Sequence, residues 1–202
     1  MLELIAAAVL VHLPSAHKGI SAAVLAHASR NIREGEVAGA RMRAFVDRDG
    51  RVRDCVLISH VGTRKNADAL CRAQEAQRMK PALDTDGSSI GGFYETVIWF
   101  FPETYEPTIE LPDEPADLEL YVQKWPASLP SPFVLTLGLV ISDTGAVSAC
   151  GPIKDSIESM VESACAAVES ASFTVVRDRR GVAIRYAKSI DAKFIVSAQA
   201  AP

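Results

Sequence analysis

The feature that most constrains this chain is a duplicated spacing. Cys55 lies five residues after Gly50 and Cys150 lies five residues after Gly145, so glycine and cysteine recur together at an offset of 95 residues. Each pair is followed by a second cysteine, Cys71 in one case and Cys165 in the other, at separations of 16 and 15 residues. Recurrence on this scale means that one supersecondary unit is built twice. The spacing also argues against zinc, whose structural sites take ligands two to four residues apart in each half.

The residues around the two glycines have the same organisation. Arg41-Met42-Arg43-Ala44-Phe45-Val46 leads into the turn Asp47-Arg48-Asp49-Gly50 and returns as Val52 to Ser59. Pro132 to Ile141 leads into Ser142-Asp143-Thr144-Gly145 and returns as Ala146 to Pro152. A polar turn closed by glycine supplies the positive φ that reverses an apolar strand, so each reads as a β-hairpin. A helix follows each hairpin. In the second repeat Ile157, Met160, Val161, Ala164, Cys165 and Val168 fall at three- and four-residue intervals on one face, from a start near Ser156. In the first, the helix runs from about Asn66 to Arg78, with Ala67, Leu70, Cys71 and Ala73 inward and Pro81 ending it. A third apolar strand closes each repeat, Gly92 to Phe101 and Val182 to Val196. The expected fold is α+β: two tandem small three-stranded antiparallel sheets (ββαβ), each with a helix packed on one face.

With one cysteine on the second strand and one on the facing helix, the simplest pairing joins Cys55 to Cys71 and Cys150 to Cys165. Each bridge would close a short loop in a domain with a modest core. The other reading is four buried thiols that act as small hydrophobes.

Strand, Asp-x-Asp-Gly turn, strand, Ser59-His60-Val61-Gly62, helix, Met79-Lys80-Pro81-Ala82, a glycine-containing loop and an apolar strand together resemble the C-terminal domain of the TonB energy transducers. The resemblance covers about Arg41 to Phe101, and more weakly Pro132 to Val196. It departs from the family pattern at His60-Val61, which interrupts a Ser-Ser-Gly motif, and at Met79, which stands for an aromatic residue. Thr174-Val175-Val176 replaces Pro-Ala in the second repeat. Strand-to-helix cysteine pairs also resemble a recurrent feature of single-domain TonB-like proteins.

The resemblance implies a periplasmic, non-catalytic binding or adaptor protein linked to outer-membrane transport. Its ligand would be an extended peptide of an outer-membrane transporter or other envelope protein, added as a strand to a sheet edge. The implied edge is the first repeat's last strand, carrying Phe93, Thr96, Val97, Ile98 and Trp99, with Val182 to Val196 as its counterpart. The alternative is a self-contained structural envelope protein whose edges pair with each other.

Composition narrows the function classes. Residues 102–119 hold four prolines, seven acidic side chains and no Lys or Arg, which reads as an extended, solvated linker. That stretch carries a charge of -7 against -4 for the whole chain, so both modules are near neutral, and no clustered basic surface suggests a nucleic-acid partner. The run Leu4 to Val11 is too short for the roughly 20 apolar residues of a membrane span. It fits either the core of a secretory signal or an ordinary first helix. The expected division is therefore an N-terminal apolar segment (1–31), a first module (32–101), the linker (102–119) and a second module (120–202).

His12, His17, His27 and His60 lack acidic partners at ligand spacing, so neither a metal nor a cofactor is expected. No nucleophile elbow, zincin, P-loop or dinucleotide motif occurs, which leaves no case for an enzyme. The run Arg177-Asp178-Arg179-Arg180-Gly181 reads as a solvated turn.

Overall fold

A computed structural model describes residues 11–16, 37–100, 111–112, 115–123, 125, 130–154 and 157–196. The expected N-terminal apolar run and most of the expected linker lie outside them. The architecture corrects the sequence reading. The main strands belong to one large mixed sheet of eight, not to two three-stranded antiparallel sheets. By contacts the chain divides into a first-repeat unit (Pro14–Ala82 with Ser89–Glu114) and a second-repeat unit (Met1–Leu13, Leu83–Ser88 and Pro115–Pro202).

In the first-repeat unit, β1 (Ser15–Ala16) pairs antiparallel with β4 (Met79–Lys80); a short β5 (Ala82–Leu83) follows along the chain. The main strands are β2 (Ala38–Val46), β3 (Val52–Val61) and β6 (Ser89–Phe100). β2 is central, antiparallel to β3 on one side and to β6 on the other. Alternate residues of β2 point to one face. Ala38, Ala40 and Met42 pack with Ile98 and with Ala67, Leu70 and Cys71 of α1 (Arg64–Glu75), while Ala44 and Val46 form a second cluster with Val52 and Met79. The opposite face carries Phe45 edge-on to Phe93, with ring centroids 5.2 Å apart, and the Arg53 guanidinium 4.7 Å from the Phe45 ring centroid. Gly39 lies under the Trp99 ring, where a Cβ would have no room.

α1 begins two residues earlier than the periodicity predicts, because Thr63 caps it. The Thr63 hydroxyl accepts from the Asn66 N–H at 3.2 Å. The inward residues Ala67, Leu70, Cys71 and Ala73 are all buried.

In the second-repeat unit the antiparallel strands are β8 (Phe133–Ile141), β9 (Val147–Pro152) and β10 (Tyr186–Val196), with α2 at Glu158–Val168. Leu135, Leu137, Leu139 and Ile141 are buried, as are Met160, Val161, Ala164 and Val168 of the helix. Tyr186 is 2% exposed, and its hydroxyl donates to the Thr174 carbonyl at 2.8 Å. Burial pushes its pKa above the ordinary tyrosine value. A fourth strand, β7 (Leu118–Val122), runs parallel to β10 and makes this unit mixed. It begins inside the segment expected to be a linker. β10 starts later than expected, because Val182 to Arg185 follow a tight turn: Asp178 N–H donates to Val182 O and Ile184 N–H to Val176 O.

The duplication is visible in hydrogen bonds that periodicity cannot show. The Gly50 carbonyl accepts the Met79 N–H at 2.9 Å, and the Gly145 carbonyl accepts the Phe173 N–H at 2.8 Å. Each glycine has positive φ (79° and 88°), and each faces a backbone carbonyl where a Cβ would clash. The turns Asp84–Gly87 and Asp178–Gly181 repeat a second time, with the glycine N–H donating to the aspartate carbonyl at 2.9 Å in both.

Candidate functional site

The four cysteines form two bridges, Cys55–Cys71 and Cys150–Cys165, each with Cα atoms 5.7 Å apart. In each repeat the bridge joins the second hairpin strand to the helix. Two such bridges are compatible with an extracytoplasmic location. Among the described residues no helix is long and apolar enough to cross a membrane.

The first bridge lies in an open groove of about 340 Å³ between β3 and α1, lined by Cys55, Val56, Leu57, Arg64, Asp68, Cys71, Arg72 and Glu75. Sequence spacing builds one wall. Residues 64, 68, 72 and 75 recur at three- and four-residue intervals, so their charged side chains share the helix face away from Ala67, Leu70 and Ala73. Arg64 Nε donates to Asp68 Oδ1 at 3.1 Å along that wall. The other wall is the outer edge of β3, which pairs with β2 alone among the described strands.

That edge is irregular. The β2–β3 register shifts twice, between Arg41/Met42 and between Arg43/Phe45, and Asp54 has φ of 53°. Such bulges twist an edge away from flat pairing. The Cys55 N–H donates to Glu75 Oε1 at 3.2 Å, so a helix side chain occupies one edge donor. Val56 remains 59% exposed.

The expected edge residues lie elsewhere. Phe93, Thr96, Val97, Ile98 and Trp99 are in β6, which pairs with β2 from Gly92 to Phe100. Ile98 is in the core, Phe93 packs on Phe45 and Trp99 covers Gly39, whereas Thr96 is half-buried and Val97 is 41% exposed. Phe101 lies outside the described residues. In the second repeat, β10 is flanked by β8 along Tyr186–Phe194 and by β7 along Ala192–Val196. The sequence reading brought Cys55 and Cys71 to this site but missed Val56, Arg64, Asp68, Arg72 and Glu75. The period of charged positions on the helix was the signal that could have found them.

The basic run at Arg177–Gly181 is a turn. Asp178 accepts the Val182 and Arg180 N–H groups at 2.9 Å, and these bonds hold its carboxyl below the ordinary carboxylate range, the Val182 N–H foremost. No group of His, Cys, Asp and Glu that could hold a metal occurs among the described residues. No family model matches the chain, and neither a curated protein nor a solved structure matches it.

Proposed function

We propose that the protein is a non-catalytic binding module of the periplasm that captures an extended segment of an envelope protein, such as an outer-membrane transporter, by strand addition. The observation that carries this reading is the open groove beside β3, an outer strand with an exposed Val56 and a charged helical wall. An extended segment laid there would gain main-chain hydrogen bonds from β3, and Arg72 would select for an acidic side chain. The reading favours β3 over β6 because Phe93, Ile98 and Trp99 are committed to packing.

The test is an NMR titration with synthetic peptides from the N-terminal segments of outer-membrane transporters. Amides of Val52–Val61 and Arg64–Glu75 shift in the native protein, and Arg72→Glu weakens binding while leaving the fold intact. Shifts confined to other strands, or none, sink the reading.

A second reading, a self-contained structural envelope protein, is favoured by two observations. The Cys55 edge donor is already occupied by Glu75, and β10 is paired by β7 on the side away from β8.

A further inference from the structure

The two bridges hold helices of unequal quality. Thr63 caps α1, Arg64 pairs with Asp68 one turn on at 3.1 Å, and Arg72 lies in the last turn, where a cation suits the helix dipole. Seven of its 12 residues are buried. α2 lacks each of those polar supports. Ile157 offers no side-chain cap, no basic residue stands in the last turn, and Glu169 follows at the end where a negative charge opposes the dipole. The Ser163 hydroxyl donates back to the Ser159 carbonyl at 2.8 Å, a bond that weakens a helix slightly. Only four of its 11 residues are buried. The sulfurs differ in the same direction: Cys71 is 7% exposed, whereas Cys150 and Cys165 are both half-buried.

The register shows what α2 covers. Leu139 stands opposite Cys150 across the β8–β9 ladder, and directly opposed residues share a face. The bridge therefore marks the face of β8 that carries Leu137, Leu139 and Ile141, all fully buried.

We infer that the Cys150–Cys165 bridge is a redox-sensitive latch on α2. Its reduction by a dithiol releases the helix and uncovers that apolar face, while α1 stays docked whether or not Cys55–Cys71 is closed. One thiolate of the dithiol attacks a bridge sulfur, the S–S bond breaks, and the departing cysteine takes up a proton. The second thiol of the reductant then gives up its proton and closes on the mixed disulfide, which frees the other cysteine as a thiol. Two electrons and two protons thus pass from the dithiol to the bridge. Helix opening admits the reductant, because an element with few buried side chains opens locally at small cost. The latch lies in the other repeat from the groove beside β3 and does not rest on the reading of that groove.

The test treats the oxidised full chain with dithiothreitol under native conditions, quenches with N-ethylmaleimide at intervals and locates the labelled cysteines by peptide mass mapping. Cys150 and Cys165 are labelled roughly tenfold faster than Cys55 and Cys71. At that stage hydrogen exchange rises across Glu158–Val168 and stays slow across Arg64–Glu75. Ile157→Asp supplies the missing cap and makes opening rarer, so it slows labelling of Cys150 and Cys165 about fivefold. Replacing Cys55 and Cys71 together by serine leaves exchange across Arg64–Glu75 slow. Labelling of Cys55 and Cys71 first, or of all four cysteines together, overturns the inference. So does rapid labelling of Cys150 and Cys165 with α2 exchange unchanged, which would make that bridge accessible but not a latch. An unchanged labelling rate in Ile157→Asp, or release of α1 in the serine variant, overturns it equally.

Discussion

The two repeats share their frame and differ in what they show to solvent. In each, a glycine turn accepts an amide from the segment that follows the helix, and a bridge joins the second hairpin strand to that helix. The helices diverge. α1 is capped by Thr63 and carries Arg64, Lys65 and Arg72 against Asp68 and Glu75, whereas α2 starts from Ile157 with no side-chain cap and carries Glu158 and Glu162 with no Lys or Arg. The parts that fix geometry are held constant while the exposed charge is inverted. Two modules built this way present different surfaces from one scaffold.

The largest expected effect tests whether the frame is equivalent in both repeats. Replacing Cys55 and Cys71 by serine, or Cys150 and Cys165 by serine, lowers unfolding free energy by about 3 kcal/mol on the chain-entropy estimate for such loops. Urea denaturation of the two variants measures it, and a loss in only one repeat would break the equivalence. Next come the turn glycines. Gly50→Ala and Gly145→Ala each force a Cβ onto a backbone carbonyl at positive φ, and each costs roughly 2 kcal/mol, read as a lower urea midpoint.

The helix starts carry a smaller difference of opposite sign. Thr63→Ala loses about 1 kcal/mol, whereas Ile157→Asp, at a position 37% exposed, gains up to about 1 kcal/mol by supplying the missing cap. Thermal unfolding of both separates the cases, and a loss on Ile157→Asp would show that its side chain packs. The smallest effect is the pH response of the Asp178 turn. Its carboxyl is held low in the folded state, so its contribution is present above the ordinary carboxylate range and fades as pH falls through the lowered value. The Asp178 carboxyl carbon resonance should titrate below that of a model peptide, and Asp178→Asn should flatten this acid-side dependence. Tyr186 acts at the other end. Its raised pKa makes stability present below pH of about 10 and lost as pH rises beyond it.

Local signals were legible in the sequence. The glycine turns, the cysteine pairing and most of the inward faces of both helices follow from spacings of a few residues: Met160, Val161, Ala164 and Val168 are buried as their period implies, whereas Ile157 and Cys165, expected on the same face, are exposed and half-buried. Non-local pairing was not legible. β7 is only five residues long and emerges from an acidic, proline-rich stretch, and it finds its partner more than 70 residues away. A parallel pair leaves no turn between its strands to announce it. The single mixed sheet escaped for the same reason, because a ββαβ pattern describes each repeat but says nothing about the strands that extend it. At the groove, Cys55 and Cys71 were found by repetition. Val56 was missed because the bulged register of β3 breaks the alternation that would have placed it.

The amide that each turn glycine accepts has a mechanical consequence. The stretch that ends α1 is fastened to its hairpin twice, by sulfur at Cys71 and by the Gly50 carbonyl at Met79. Two fixings so close together set the distance between β3 and the C-terminal end of α1 when the chain folds, not when a ligand arrives. A guest in the first groove would therefore be selected by its width, like a key cut to a rigid slot.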